Sequence, residues 1–189
     1  MRVMTTARAT RTGAVDRATV VRVGADLADR DGWDVLTLSD VAKELGRHPS
    51  SMYAHVQSLE DLRQEIALLA MGELAERVWR AVLGKVGGAA LQAIAAEYRD
   101  FAQAYPGRTA SLSGVSPETP GYAEQAARLH EPVRVTFLSF GLDDEQAAVA
   151  HRVFGATIDG FVRTAPGHDI TPAVQVFEAA LAAGTWPSA

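Results

Sequence analysis

The 189-residue sequence contains no cysteine, so disulfides, thiolate metal sites and cysteine nucleophiles are all excluded. No apolar run approaches the ~18 residues that a membrane-spanning helix needs. The opening residues, Met1-Arg2-Val3-Met4-Thr5-Thr6, lack the apolar block of a secretory signal, so the expectation is a cytoplasmic protein with no membrane partner. Long β-branched alternations are missing, which argues against strands. A Gly-rich phosphate loop, a Gly-x-Ser-x-Gly elbow and a metal-ligand triplet are missing as well. His130-Glu131 has no second histidine at a zincin spacing, and His151 and Asp159 lie two helical turns apart. The reading is therefore no enzyme, no cofactor and no metal.

What is present is an ordinary globular composition, 48% hydrophobic and 22% charged, with enough chain to bury a core. The net charge of −5 is unevenly spread. Residues 1–56 hold eight Lys/Arg against seven Asp/Glu, and the remainder ten against sixteen. The first fifteen residues carry Arg2, Arg8 and Arg11 and no acid. A basic front and an acidic rear suggest a nucleic-acid-facing end joined to a part with another task.

Almost everything reads as helix, giving an all-α fold of about nine helices. Residues 1–14, without periodicity, read as a flexible basic arm. Helices are expected near 16–30, 38–45, 49–55, 59–83, 89–104, 122–140, 144–164 and 171–184, with a broken Pro/Gly-rich stretch over 106–121 holding at most one short helix. Gly84, Gly87 and Gly88 are expected to separate two of these helices. Ser58 and Asp61 have capping-box spacing. The helix near 144–164 is apolar or small nearly all round except for Arg152, Asp159 and Arg163, a pattern that calls for both a core and a second partner.

The segment from Thr37 to Val56 has the spacing of a helix-turn-helix. Thr37 and Asp40 form a capping box, and Val41, Ala42 and Leu45 face inward. Gly46 suits a tight turn, and Met52 and Val56 form the inner face of the second helix. Its outer face presents Arg47, His48, Ser50, Ser51, Ala54 and His55, with Tyr53 at the flank. Short hydroxyls at a helix start suit close approach to phosphates and base edges. Spacing alone leaves a plain helical hairpin as an equal alternative.

Beyond the spacing, residues 16–66 resemble the DNA-binding domain of the tetracycline-repressor (TetR) family. The match runs through Gly32-Trp33-Asp34-Val35-Leu36-Thr37, the Val-Ala-x-x-Leu-Gly that follows, Tyr53-Ala54-His55-Val56, and Leu62. The resemblance implies phosphate contacts from Thr37 and Ser39, and base and backbone reading by Pro49, Ser50 and Ser51. It further implies backbone contacts from Tyr53 and His55. Leu59 departs from it, standing where many members have a lysine; Arg47, or the arm in a minor groove, would compensate.

The resemblance also implies a division into 15–62, which binds DNA, and 63–189, which binds a ligand and dimerises. A small apolar ligand is expected between the helices near 89–104, 122–140 and 144–164, lined by Tyr98, Phe101, Tyr105, His130, Phe137, Phe154 and Phe161. His130, His151 and Asp159 are the polar groups of interest there. Gly155, Ala156, Gly160, Val174, Phe177 and Leu181 are expected at a homodimer seam. The Tyr105-Pro106-Gly107 junction resembles a C-terminal subclass named for a Trp-His-Gly signature. The expected function is a homodimeric repressor on a palindromic double-stranded operator. The alternative is a DNA-binding regulator or protein-interaction module without an effector.

Overall fold

Asp16, Thr37 and Ser58 each end a stretch of extended backbone and accept a hydrogen bond from the amide three residues on. Each satisfies an exposed N–H at a helix start. These caps open α1 (Arg17–Asp31), α2 (Leu38–Glu44) and α3 (Leu59–Val82). A 3-10 helix, Pro49–Ala54, lies between α2 and α3. Then follow α4 (Gly87–Ala104), α5 (Pro106–Ser111), α6 (Tyr122–Leu138), α7 (Asp144–Thr164) and α8 (Thr171–Ala182). The structure, a computed structural model, describes residues 15–164 and 168–184. The expected arm over 1–14 lies outside them. Among the described residues the fold is all-α, with eight α-helices, one 3-10 helix and no strand.

Two of the three expected breakers behave otherwise. Gly84 does follow the end of α3, with a φ of 71°, but Gly87 and Gly88 begin α4. The reason is space. The Gly87 amide donates to Ser139 Oγ at 3.0 Å, and a methyl on Gly88 would overlap the Glu178 carboxylate of α8. Glycine therefore serves close packing here rather than helix termination.

The buried side chains form two clusters. Val20, Ala25, Leu27, Leu36, Val41, Ala42, Met52 and Val56 gather with Leu62 and Ile66. Ala70, Leu74 and Val78 join Leu91, Phe101, Phe137, Phe154 and Leu181 in the second. Both clusters draw on α3, whose apolar positions recur at helical spacing over its length.

The second link is α5. Gly107 approaches α1 so closely that an added methyl would overlap the backbone of Ala28 and Asp29. Beside it the Arg108 guanidinium is almost completely buried, over the Tyr105 ring at 4.9 Å. It pairs with Asp29, with Asp26 at 2.8 Å and with Glu73 at 3.2 Å. The Arg108 amide also donates to Asp29 Oδ1 at 2.8 Å. Burial pushes the Glu73 carboxyl up, against the opposing pull of Arg108. Gly107→Ala should lower unfolding stability in urea by roughly 1–3 kcal/mol, the range for overpacking a filled site. An unchanged midpoint would show that α5 and α1 are not this close.

Candidate nucleic-acid interface and interior cavity

The turn after α2 is built from the backbone. Gly46 takes a φ of 66°, a region open to glycine at little cost, and the Arg47 amide donates to Ala42 O at 2.8 Å. Pro49 then opens the next helix, where its missing N–H is no loss. The expected α-helix over 49–55 is instead a 3-10 helix. A six-residue segment whose Ser51 and His55 amides bond three residues back, to His48 and Met52, closes the tighter turn. His48 caps it: Nδ1 accepts from the Ser50 amide at 3.3 Å and lies 2.9 Å from Ser50 Oγ. Ser51 Oγ donates to His48 O at 2.7 Å.

With Met52 and Val56 buried beneath, Thr37, Ser39, Arg47, His48, Pro49, Ser50 and Tyr53 are exposed, and Ser51 and His55 are half-buried. The nine expected contact residues thus lie on the α2 and 3-10 segments, outside the core. Leu59 packs against the N-terminal cluster, so the residue standing in place of lysine has a structural role.

Sequence reading missed Arg17. Its guanidinium donates to His55 O at 2.7 Å, to Asp61 Oδ1 at 2.8 Å and to Glu65 Oε1 at 2.9 Å. It ties the start of α1 to the end of the 3-10 helix and the first turns of α3. Burial works to raise the Asp61 carboxyl, but Arg17 and the Gln57 amide outweigh it and hold it below the ordinary range. Nothing local in the sequence links residues 44 apart, so only the fold reveals this clamp.

Within the C-terminal cluster lies a cavity of about 260 Å³ bounded by α3, α4, α6 and α7 and by the segment after α5. Of the seven expected lining residues, Tyr98, His130 and Phe154 border it. The other four do not. Phe101 and Phe137 are buried in the core, Tyr105 packs on Phe101 and Arg108, and Phe161 packs on the core. Met71, Leu112, Val115, Tyr122 and His151 line it instead. Burial pushes the Tyr98 hydroxyl up to about 12. Asp159 is paired with Arg163 at 2.6 Å.

The expected seam needs correction too. Val174 and Leu181 are buried inside the chain, and Phe177 packs against Phe137 and Phe154. Core packing within one chain has claimed them. Gly155 and Ala156 are exposed and Gly160 half-buried, and nothing stands within 4 Å of a methyl built on either glycine.

No family model matches the chain. An uncharacterized HTH-type transcriptional regulator of Mycobacterium tuberculosis is 34% identical over 157 residues, 80% of this chain and 71% of that protein. ActR, a TetR family protein of Streptomyces coelicolor solved in complex with (S)-DNPA, superposes with a TM-score of 0.64 at 16% identity, covering 92% of this chain and 100% of ActR. The chain belongs to the HTH-type transcriptional regulators, and its fold is that of TetR-family proteins. BioQ, solved with its double-stranded DNA operator, shares the fold at a TM-score of 0.66 and 18% identity, over 89% of this chain and 99% of BioQ. As an HTH-type transcriptional regulator this chain is a DNA-binding protein, and no helix among the described residues is long and apolar enough to cross a membrane.

Arg17→Met should lower stability at neutral pH by about 1 kcal/mol, a value already discounted for a partly exposed guanidinium. Because the folded-state pKa of Asp61 is depressed, its contribution is fully present above the ordinary value of about 3.9 and is lost as pH falls through the folded one. Urea midpoints of the two proteins should therefore converge in acid. A gap independent of pH would refute the clamp.

Proposed function

We propose that this protein is a homodimeric repressor of the TetR type that reads an inverted-repeat operator and leaves it when a small, largely apolar ligand fills the cavity. In this reading residues 15–62 bind DNA, and 63–189 bind ligand and dimerise. The observation that carries it is the path from cavity to reading head. Leu112 and Val115 border the cavity, and one turn before Leu112 the same segment grips α1 through Gly107 and Arg108.

The roles follow from what each side chain can donate. Thr37 and Ser39, at the start of α2, meet phosphate through hydroxyls and helix-start amides. Arg47, His48, Pro49, Ser50 and Ser51 form the edge that enters the major groove, where donors and acceptors distinguish base pairs. Tyr53 and His55 reach the backbone on its flank. Arg17 supports this head by pairing with Asp61 and Glu65, offsetting part of the negative charge that would otherwise repel phosphate.

Dimerisation rests on surface that one chain leaves uncovered. The α7 residues Val153, Gly155 and Ala156, with half-buried Gly160, offer a face of small and apolar groups, and α8 adds Val176 and Ala179. Two such helix pairs related by a two-fold axis would make a four-helix seam. The two reading heads would then meet successive major grooves. A ligand displacing Leu112 would move α5, and with it α1, so that the spacing no longer matches the operator.

Footprinting across the DNA next to the gene should protect an inverted repeat. Tyr53→Ala should weaken binding to it roughly tenfold, one lost phosphate contact, with the melting temperature unchanged. Affinity should fall steeply with salt. Full affinity in the variant would remove Tyr53 from the contact set. For the dimer, sedimentation should give twice the chain mass for the natural protein and a monomer that no longer binds operator for Ala156→Glu. A monomeric natural protein that still binds operator would overturn this part.

A further inference from the structure

The cavity wall is apolar apart from two tyrosine hydroxyls and the point where α6 and α7 meet. No Asp, Glu, Lys or Arg borders it, and its polar groups are the hydroxyls of Tyr98 and Tyr122 and two imidazoles. His130 on α6 and His151 on α7 stand edge to face, ring centroids 4.7 Å apart and planes at 86°. Neither ring has a hydrogen-bond partner among the described residues. The pair also borders an outer groove with Trp79, Arg128, Glu131 and Arg134. It is therefore the polar wall shared by the cavity and the outside. His130 is exposed and His151 half-buried, so the rings meet solvent on the groove side and offer polar groups to a ligand on the cavity side.

We propose that the cavity takes an apolar carboxylic acid, its chain among Met71, Ile94, Leu129 and Phe154 and its carboxylate held between His130 and His151. The inference rests on the ligand-binding reading above and names the chemistry of that ligand. Three observations favour an acid over an alcohol or an amine. Two N–H donors on adjacent rings match the two oxygens of a carboxylate, whereas an alcohol offers one. The surrounding charge is positive in balance. From α6, Glu131 is spent on Arg134 at 2.9 Å, and Arg134 also meets Asp144 at 2.6 Å. Arg128 of α6 and Arg152 of α7 have no salt bridge among the described residues, and α3 contributes only the uncharged Trp79 to this groove. An ammonium would find no free carboxylate here.

The third observation is the state of the rings. Burial pushes His151 down to about 4, with His130 and Arg152 adding to the effect, and burial lowers His130 as well. Both are neutral near pH 7. An incoming carboxylate favours the charged imidazolium, so one ring takes a proton from the buffer as the acid binds. The sign follows from linkage: proton uptake on binding makes affinity fall as pH rises.

Calorimetric titration of the full chain with octanoate, 1-octanol and octylamine tests this at constant chain length. Octanoate should bind about tenfold more tightly than octanol, the worth of a charge-assisted hydrogen bond, and octylamine should bind most weakly. Repeating the octanoate titration in buffers of different ionisation heat should show close to one proton taken up. His130→Phe with His151→Phe should bring octanoate down to the octanol affinity and leave octanol binding in place. Equal octanoate and octanol affinities in the natural protein would overturn the acid assignment while leaving the ligand cavity standing. Binding of none of the three would overturn both. Octanoate preference surviving in the double variant would place the carboxylate elsewhere and refute the proposal.

Discussion

The helix-turn-helix part is joined to the rest of the chain chiefly through α3 and through α5, where Arg108 is buried. A guanidinium this deeply buried is tolerable only if its charge is met at close range, because the desolvation cost is otherwise prohibitive. The partners differ in weight. Asp29 is itself buried, with 12% of its side chain exposed, whereas Asp26 is 64% exposed and Glu73 40%. The Asp29 pair therefore sets the geometry, and the other two add contacts on the more exposed side. Gly107 allows the approach and Arg108 fixes its register. Together they convert α5 from a short surface turn into a strut between the cavity wall and α1.

The same logic governs the DNA-facing side at lower stakes. A protein of net charge −5 must keep its acids away from phosphate. Arg17 does this locally: Asp61 and Glu65 lie next to the helix-turn-helix, and both are engaged by one cation. That cation also holds the His55 carbonyl, so charge neutralisation and positioning of the reading helix come from one side chain. Leu59 adds packing where the family pattern has a charge. The segment is thus held in a fixed shape, with the edge from Arg47 to Tyr53 left largely exposed.

Much of the local chemistry was legible in the sequence, though not the 3-10 form of Pro49–Ala54. Caps at Thr37 and Ser58 gave helix starts, and Gly46 with the flanking Ala42 and Met52 gave the helix-turn-helix. The family resemblance gave the rest of the architecture. What failed to show was pairing across distance. Arg17 with Asp61, Arg108 with Asp29, and His130 with His151 are separated by 44, 79 and 21 residues, and no spacing rule connects them. Aromatic residues misled for a related reason. Phe101, Phe137 and Phe177 have the same one-face periodicity whether they fill a core or line a cavity, and packing density decides between these uses. Gly87 and Gly88 read as a break because the closeness of one to the end of α6 and of the other to α8 is invisible in one dimension.

The central claim is that Arg108 couples the cavity half to the DNA-reading half, and amide hydrogen exchange on Arg108→Met reads it directly. Removing the cation leaves the Asp29 carboxylate near the end of α1 with the residue-108 amide but no counter-charge, a destabilising arrangement, whereas α4 and α7 lose no partner. The account predicts that amides of α1 and α2 exchange at least about tenfold faster in the variant, a local opening, while those of α4 and α7 keep their protection. Unchanged protection throughout α1 would contradict it.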